Sequence, residues 1–376
     1  MARTTFAPNP VKIKVIGLGG GGCNAVTRMV RQDIKGVEFI AMNTDAQALA
    51  ITEAPLRVQL GDKLVRGLGV GGDHMQGQKA AEESKDEIRE YISGADMVFI
   101  TAGMGGGTGT GAASVIAEVA KQSGALTIAV VTRPFTFEGA HRAQVANDGI
   151  ARLLDKVVDT LIIIPNDRLL ELCDHKTGVD EAFRMADDVL SHGVQAIAQV
   201  ITVPGMINLD FADVKAVMKD AGPAWMSIGK GTGQHRAADA AKEALESPLL
   251  DVSVGGSRGV LFNVVGSDDL TLFEVNEAAE IIKAAVDPEA NIIFGVVHDP
   301  TMDKEIKITL IATGFTNKID LPGDNKDDEI TEFLKECKSE DQLDIPAFLR
   351  RPLYNQRRAP AQSTTTPHPT THPLFR

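Results

Sequence analysis

Short apolar runs alternate with longer stretches of helical periodicity along most of the chain. Val11–Ile16 reads as a buried strand, Asn24–Gln32 as a helix and Val37–Asn43 as a second strand. Residues 79–93 carry a helical pattern, Met97–Ala102 a strand, Ala112–Gln122 a helix and Ala125–Val131 a strand. Helix 139–155 and strand Thr160–Pro165 follow. Strands alternating with helices predict a parallel, doubly wound sheet with ligands at the carboxyl ends of its strands. A long helical pattern then runs from Val179 to Ile201 and stops at Pro204-Gly205. Beyond it lie helix 211–221, strand Ala224–Lys230, helix 235–246, strand Gly259–Val265, helix 271–285, and strands Asn291–His298 and Ile306–Gly314. The predicted fold is α/β: a doubly wound parallel-sheet domain at 11–178, a central helix at 179–205, and a smaller α/β domain at 206–316.

After residue 316 the pattern fades. Residues 317–342 hold nine Asp/Glu against four Lys, which reads as a solvated acidic linker. Residues 343–351 (LDIPAFLRR) regain apolar anchors, with Asp344 placed to cap a helical turn containing Ile345, Phe348 and Leu349. A basic, low-complexity tail at 352–376 is expected to be disordered, as are residues 1–10.

Two glycine clusters stand where strands give way to helices: Gly17-Leu18-Gly19-Gly20-Gly21-Gly22 and Gly103-Met104-Gly105-Gly106-Gly107-Thr108-Gly109-Thr110-Gly111. Glycine lets backbone approach a phosphate closely, and the helix that follows offers free N–H groups and a positive dipole end. Two such loops in one domain suggest a chain of phosphates gripped from both sides. Gly17-x-Gly19-x-x-Gly22 alone matches a dinucleotide fingerprint, but Asn43 stands where an acid is expected at the end of the next strand. A Rossmann-type NAD-dependent oxidoreductase would also leave the second loop unexplained. No Walker-type lysine motif is present.

Composition narrows the classes further. At 376 residues and 43% hydrophobic the chain can bury one or two sizeable cores, and a net charge of −13 argues against nucleic acid as a partner. Three cysteines (23, 173 and 337) lack metal-ligand spacing and read as reduced thiols of a cytoplasmic protein. Residues 1–10 lack a signal-peptide core, so any membrane role is expected to be indirect.

Taken with the first loop, the GGGTGTG run at 105–111 resembles the signature of the tubulin-like GTPases, and the chain as a whole resembles the FtsZ family of cell-division proteins. The resemblance spans residues 11–316 and the short 343–351 segment. It implies GTP or GDP held by Gly19, Gly20, Gly21, Gly22, Asn24, Asn43, Gly71, Gly72, Gly105, Gly106, Gly107, Thr108, Gly109 and Thr110. Thr132, Pro134, Glu138 and Arg142 would serve the ribose and phosphate side, and Asn166, Phe183 and Asp187 the base. Phe183 and Asp187, at i and i+4, share one helix face, where a ring can stack on a purine and a carboxylate can accept from guanine. Glu138 and Arg142 share that spacing, so a plain surface ion pair is their alternative reading. Asp210 and Asp213, with Asn208 orienting, are implied to be catalytic when a neighbouring subunit brings them to the terminal phosphate; read alone, Asp210 is a helix N-cap. The family further implies Mg²⁺ at the phosphates, K⁺ as a further candidate cation, and head-to-tail self-assembly. It also implies division proteins and membrane tethers docking on Asp344–Arg351, and a cytoplasmic location at the midcell division ring. The alternative within this family is a GTP-binding scaffold with little hydrolysis. Relatives commonly carry Asn-Pro where this chain has Asp73-His74, so loss of the proline is expected to loosen the 67–74 loop and Asp73 to add charge near the phosphates, with consequences for nucleotide affinity and GTP/GDP switching.

Overall fold

The computed structural model describes residues 11–155, 157–173, 177–202, 209–250 and 254–315. In chain order the elements are β1 (Ile13–Leu18), α1 (Gly19–Arg31), β2 (Val37–Asn43), α2 (Ala46–Ala50), β3 (Leu56–Gln59), α3 (Asp62–Val65), α4 (His74–Glu83), α5 (Lys85–Ile92), β4 (Met97–Gly103), α6 (Thr108–Gln122), β5 (Leu126–Arg133), α7 (Ala140–Leu154), β6 (Thr160–Pro165) and α8 (Asn166–Leu169). There follow α9 (Val179–Thr202), α10 (Phe211–Met218), β7 (Gly222–Thr232), α11 (Arg236–Glu246), β8 (Gly259–Gly266), α12 (Leu272–Ala285), β9 (Asn291–His298) and β10 (Glu305–Thr313).

The first six strands are parallel in the order β3-β2-β1-β4-β5-β6, the doubly wound arrangement that the alternation predicts. Their near-continuous Val/Ile/Leu content reflects helices covering both faces. The remaining four continue the same sheet as β7-β10-β8-β9, with β10 antiparallel to both its neighbours. The join is narrow: Thr160–Ile162 of β6 pair with Gly222–Ala224 of β7 and then the strands part. A buried carboxylate secures it. Asp159 accepts from Thr127 N–H at 2.8 Å and lies 3.2 Å from the Lys121 ammonium, while its backbone oxygen takes Gly222 N–H.

Helix α9 lies across that join. Its inner face (Ala186, Val189, Leu190, Val194, Ile197) belongs to one apolar cluster with Val130 and Ile162 of the parallel half and with Met226, Leu261 and Ile311 of the mixed half. A second cluster, built around Phe262, Val264, Ile308 and Leu310, is covered by α11 and α12. Among the described residues no helix is long and apolar enough to cross a membrane.

Several expectations need correction. The helix expected at 79–93 is two helices broken at Ser84, whose hydroxyl accepts from Gly61 N–H at 3.0 Å. Helices α1 and α6 start at Gly19 and Thr108, so most of the first glycine cluster and the Thr108–Gly111 end of the second are themselves first turns. The linker, the 343–351 peptide, the tail, Cys337 and the helix stop at Pro204-Gly205 lie outside the described residues.

Candidate nucleotide site

At the carboxyl edge of the parallel sheet, β1 and β4 run directly into α1 and the loop before α6, and the two glycine clusters meet backbone to backbone. Gly19, at φ +64°, comes so close to α6 that a Cβ there would lie 2.9 Å from Gly109 N. A Cβ on Gly22 would lie 2.3 Å from the Thr101 carbonyl oxygen. These glycines are needed for packing. Others are not: Gly20, Gly71, Gly72 and Gly106 have nothing within 4 Å of their Cβ positions. Their bare backbone is open beside the starts of α1 and α6, a glycine hollow that suits an anion approaching main-chain N–H groups.

The threonines of the second cluster fix its shape. Thr110 Oγ1 accepts from Gly105 N–H at 2.9 Å, and Thr108 Oγ1 shares a 2.5 Å hydrogen bond with Thr44 Oγ1. Thr44 and the buried Asn43 close the end of β2, with Asn43 Oδ1 accepting from Asp45 N–H at 3.3 Å. The 67–73 loop folds over Gly107, whose Cβ would meet Val70, Gly72 and Asp73. Asp73 also has a local structural role. Its carboxylate caps α4, accepting from Met75 and Gln76 N–H at 2.9 and 3.2 Å, and these bonds hold its pKa below the usual value. Asp73 therefore anchors the start of α4.

On the other side, Thr132 is buried near Gly103, and Pro134 packs on Gly105, 3.3 Å from its Cβ position. Glu138 and Arg142 form an ion pair at 2.5 Å, with the Glu138 side chain mostly covered and Arg142 more exposed. Glu138 also accepts from Phe135 N–H at 2.9 Å, which ties the 134–138 turn down. Asn24 is exposed on the second turn of α1.

Asn166, Phe183 and Asp187 come from the turn after β6 and the first half of α9. Asn166 is 4% exposed and its Oδ1 has no hydrogen-bond partner, an uncompensated acceptor of the kind a ligand satisfies. Phe183 is 39% exposed and meets Phe135 edge-on at 5.4 Å, while Phe135 stacks on Phe137 at 4.9 Å. Asp187 is half-buried, and burial pushes its carboxyl up to about 7. Arg28 of α1, 3.9 Å away, opposes that rise only in part because it is also paired with Asp188.

Asp210 and Asp213 lie elsewhere. Asp210 caps α10, its Oδ1 accepting from Asp213 N–H at 2.9 Å. The far end of α10 is fixed at the opposite edge of the sheet, where Met218 O accepts from Thr160 Oγ1 at the start of β6. The end of α9 is at that edge too, with Thr202 Oγ1 donating to Lys35 O at 3.1 Å just before β2. A helix of 24 residues spans about 36 Å, so the acids and the glycine hollow occupy opposite poles. Asn208 lies outside the described residues.

Sequence reasoning missed Thr44, Arg28 and the Phe135–Phe137 pair. Thr44 and the two phenylalanines had a signal in their place just past β2 and β5; Arg28, one basic residue among several on a helix, had none. Among the described residues no three His, Cys, Asp or Glu side chains cluster as a metal site would.

Two glycine-rich helix starts at one sheet edge, with an aromatic and a carboxyl on the neighbouring helix, define a nucleotide-binding α/β protein of tubulin-like design. Residues 12–174 match the tubulin/FtsZ family GTPase domain, and residues 222–316 match the FtsZ family C-terminal domain. The FtsZ dimer from M. jannaschii is 46% identical, with a TM-score of 0.79, over 81% of this chain and 88% of that one. CetZ1 from Haloferax volcanii shares the fold at 20% identity and a TM-score of 0.71, over 87% and 100% of the two chains. The chain belongs to the FtsZ family of GTPases, and so binds GTP and GDP.

Proposed function

We propose that this chain polymerises head to tail in a GTP-dependent manner and hydrolyses GTP at each contact between subunits. The filament scaffolds the division ring at midcell, on the cytoplasmic face of the membrane. The observation that carries this reading is the separation of the acids from the glycine hollow within one chain. From Asp187 to its end at Thr202, α9 runs about 22 Å toward the edge where Asp210 and Asp213 lie, so only a second copy can bring them to a terminal phosphate. A contact joining unlike poles does not close on itself, and a filament results. The M. jannaschii relative described as an FtsZ dimer is consistent with self-association, and CetZ2 from Haloferax volcanii, 18% identical, is described as a protofilament.

In this arrangement the N–H groups of the first turns of α1 and α6 hold the phosphates. Asn166, Phe183 and Asp187 take guanine, and Glu138 and Arg142 take the ribose side. Mg²⁺ at the phosphates would offset their charge, with K⁺ a further candidate. The incoming Asp210 and Asp213 orient and polarise the attacking water, with Asn208 beside them. Division proteins and membrane tethers dock on Asp344–Arg351.

The test is turnover per subunit against protein concentration, with pelleting in the same tubes. A threshold above which turnover and GTP-dependent pellets rise together is expected. Turnover linear from zero with no pellet overturns the shared site, and pellets without turnover leave only a scaffold. Asp213→Ala is expected to bind GTP normally and to hydrolyse it at least about 100-fold more slowly. Asp210→Asn, which keeps a helix cap, separates catalysis from local folding.

A further inference from the structure

The search of the remaining surface leads to β7. One edge of this strand is paired with β10 along its length, but the other meets β6 only through Gly222–Ala224. From there to Thr232 no described strand covers it. Lys230 N–H points outward on this side, donating to Glu243 Oε2 at 2.8 Å. Backbone groups in a strand alternate in direction with a period of two, so the N–H and C=O of Ile228 face the same way. A glutamate side chain thus stands in for one bond of an absent neighbour.

This edge opens into a cleft of about 740 Å³ between α9 and α11, within the range of known binding sites. Its floor is apolar, built by Met185 and Val189 of α9, Ile228 of β7 and Leu249. Its rim carries Asp188, Asp239, Glu243 and Glu246 against Lys230 and Lys242. Lys230 is drawn to Glu305 at 3.6 Å, and Asp188 is held by Arg28. Asp239 and Glu246 make no ion pair among the described residues and face solvent. His192 also lines the cleft and is neutral near pH 7, since burial and two lysines push its pKa down to about 4.

We propose that this cleft receives an extended basic segment of a partner protein, which adds to β7 as a short strand. Alternate side chains of such a segment point to opposite faces. Apolar ones rest on Ile228 and Val189, while the intervening arginines or lysines reach Asp239 and Glu246. Main-chain bonds to Ile228 supply the register. A helix cannot reach those edge groups, and an acidic segment meets the wrong rim. The proposal does not rest on the nucleotide reading, because no residue at its centre belongs to the glycine hollow.

The test uses the full chain and the probe acetyl-Arg-Val-Arg-Val-Arg-amide, followed in two ways. The chain has one tryptophan, Trp225, buried on β7 three positions before Ile228, and its fluorescence reports binding. Hydrogen exchange mapped by residue is expected to slow about tenfold at Ile228 under saturating probe. The same peptide with proline at its centre, and the Glu-Val-Glu-Val-Glu analogue, are expected to give neither signal. Asp239→Lys and Glu246→Lys, both on the exposed face of α11, are expected to weaken the arginine peptide about tenfold each. Unchanged exchange at Ile228 in the wild-type chain overturns the proposal, whatever the variants do. So does equal protection by the proline or glutamate peptide, or full affinity in a folded charge-reversed variant.

Discussion

Asp187 gives the sharpest test of how guanine is read. Its carboxyl is half-buried and raised to about 7, with Arg28 too far and too committed to Asp188 to restore the usual value. Only the ionised form can accept from both guanine N1–H and the amino group. With a pKa of about 7, about one site in ten is ionised at pH 6 and about nine in ten at pH 8. Nucleotide affinity carried by this residue therefore rises about tenfold across that interval, or about 1.4 kcal/mol, and binding at pH 6 releases nearly one proton. The terminal phosphate of GDP loses its own proton in the same range, so the informative quantity is the difference between wild type and Asp187→Asn. Calorimetric titration of GDP at several pH values, in buffers of different ionisation enthalpy, measures both affinity and proton release. The variant is expected to bind more weakly at pH 8 and to lose most of the extra pH slope. Parallel slopes for the two proteins would refute the assignment of Asp187 as the titrating reader of the base.

Three further outcomes follow from the packing. Gly22→Ala places a methyl 2.3 Å from the Thr101 carbonyl and should lower stability by about 1–3 kcal/mol, whereas Gly20→Ala meets nothing, should melt like wild type, and should lose GDP affinity because its methyl fills the hollow. Melting curves and GDP titrations that reverse this order would show the glycine roles to be misassigned. His192 stays neutral in the folded chain down to about 4 but takes a proton near 6.5 when unfolded, so stability should fall as pH drops from 6.5 to 4, by on the order of 3 kcal/mol, and His192→Gln should flatten that limb in urea unfolding. Leu68, 85% exposed beside the glycine hollow, should face the next subunit, so Leu68→Asp is expected to raise the threshold for pelleting at least about tenfold while GDP affinity holds. An unchanged threshold would remove this loop from the contact.

Strands such as Val37–Asn43, Thr160–Pro165 and Asn291–His298 were legible to the residue, because buried parallel strands are unbroken apolar runs. Strand β3 was not: Leu56-Arg57-Val58-Gln59 is short and half polar, and only its pairing with β2 makes it a strand. Helices α1 and α6 began earlier than read, since glycine lacks helix propensity and the first turns are held by each other's close approach. The helix start at Asp73 was missed for a related reason: its capping bonds are local, but a family comparison drew attention to the charge instead of to the cap. At the site, residues fixed by backbone position were readable as types. The partner of Asp187 was not, because Arg28 reaches it from a helix far away in sequence.

The meeting of the two glycine clusters also bears on time. Thr44 and Thr108, bonded across the hollow, are 64 residues apart, and Gly19 and Gly109 are separated further still. Contacts of such range repay the entropy of closing their loops only after the strands between them have paired, so the hollow is expected to form late in folding. A ligand that binds only this finished state acts as a latch on the last step. The chain should refold to lasting order faster, and melt higher by a margin set by RT ln(1 + [L]/Kd), wherever guanine nucleotide is abundant.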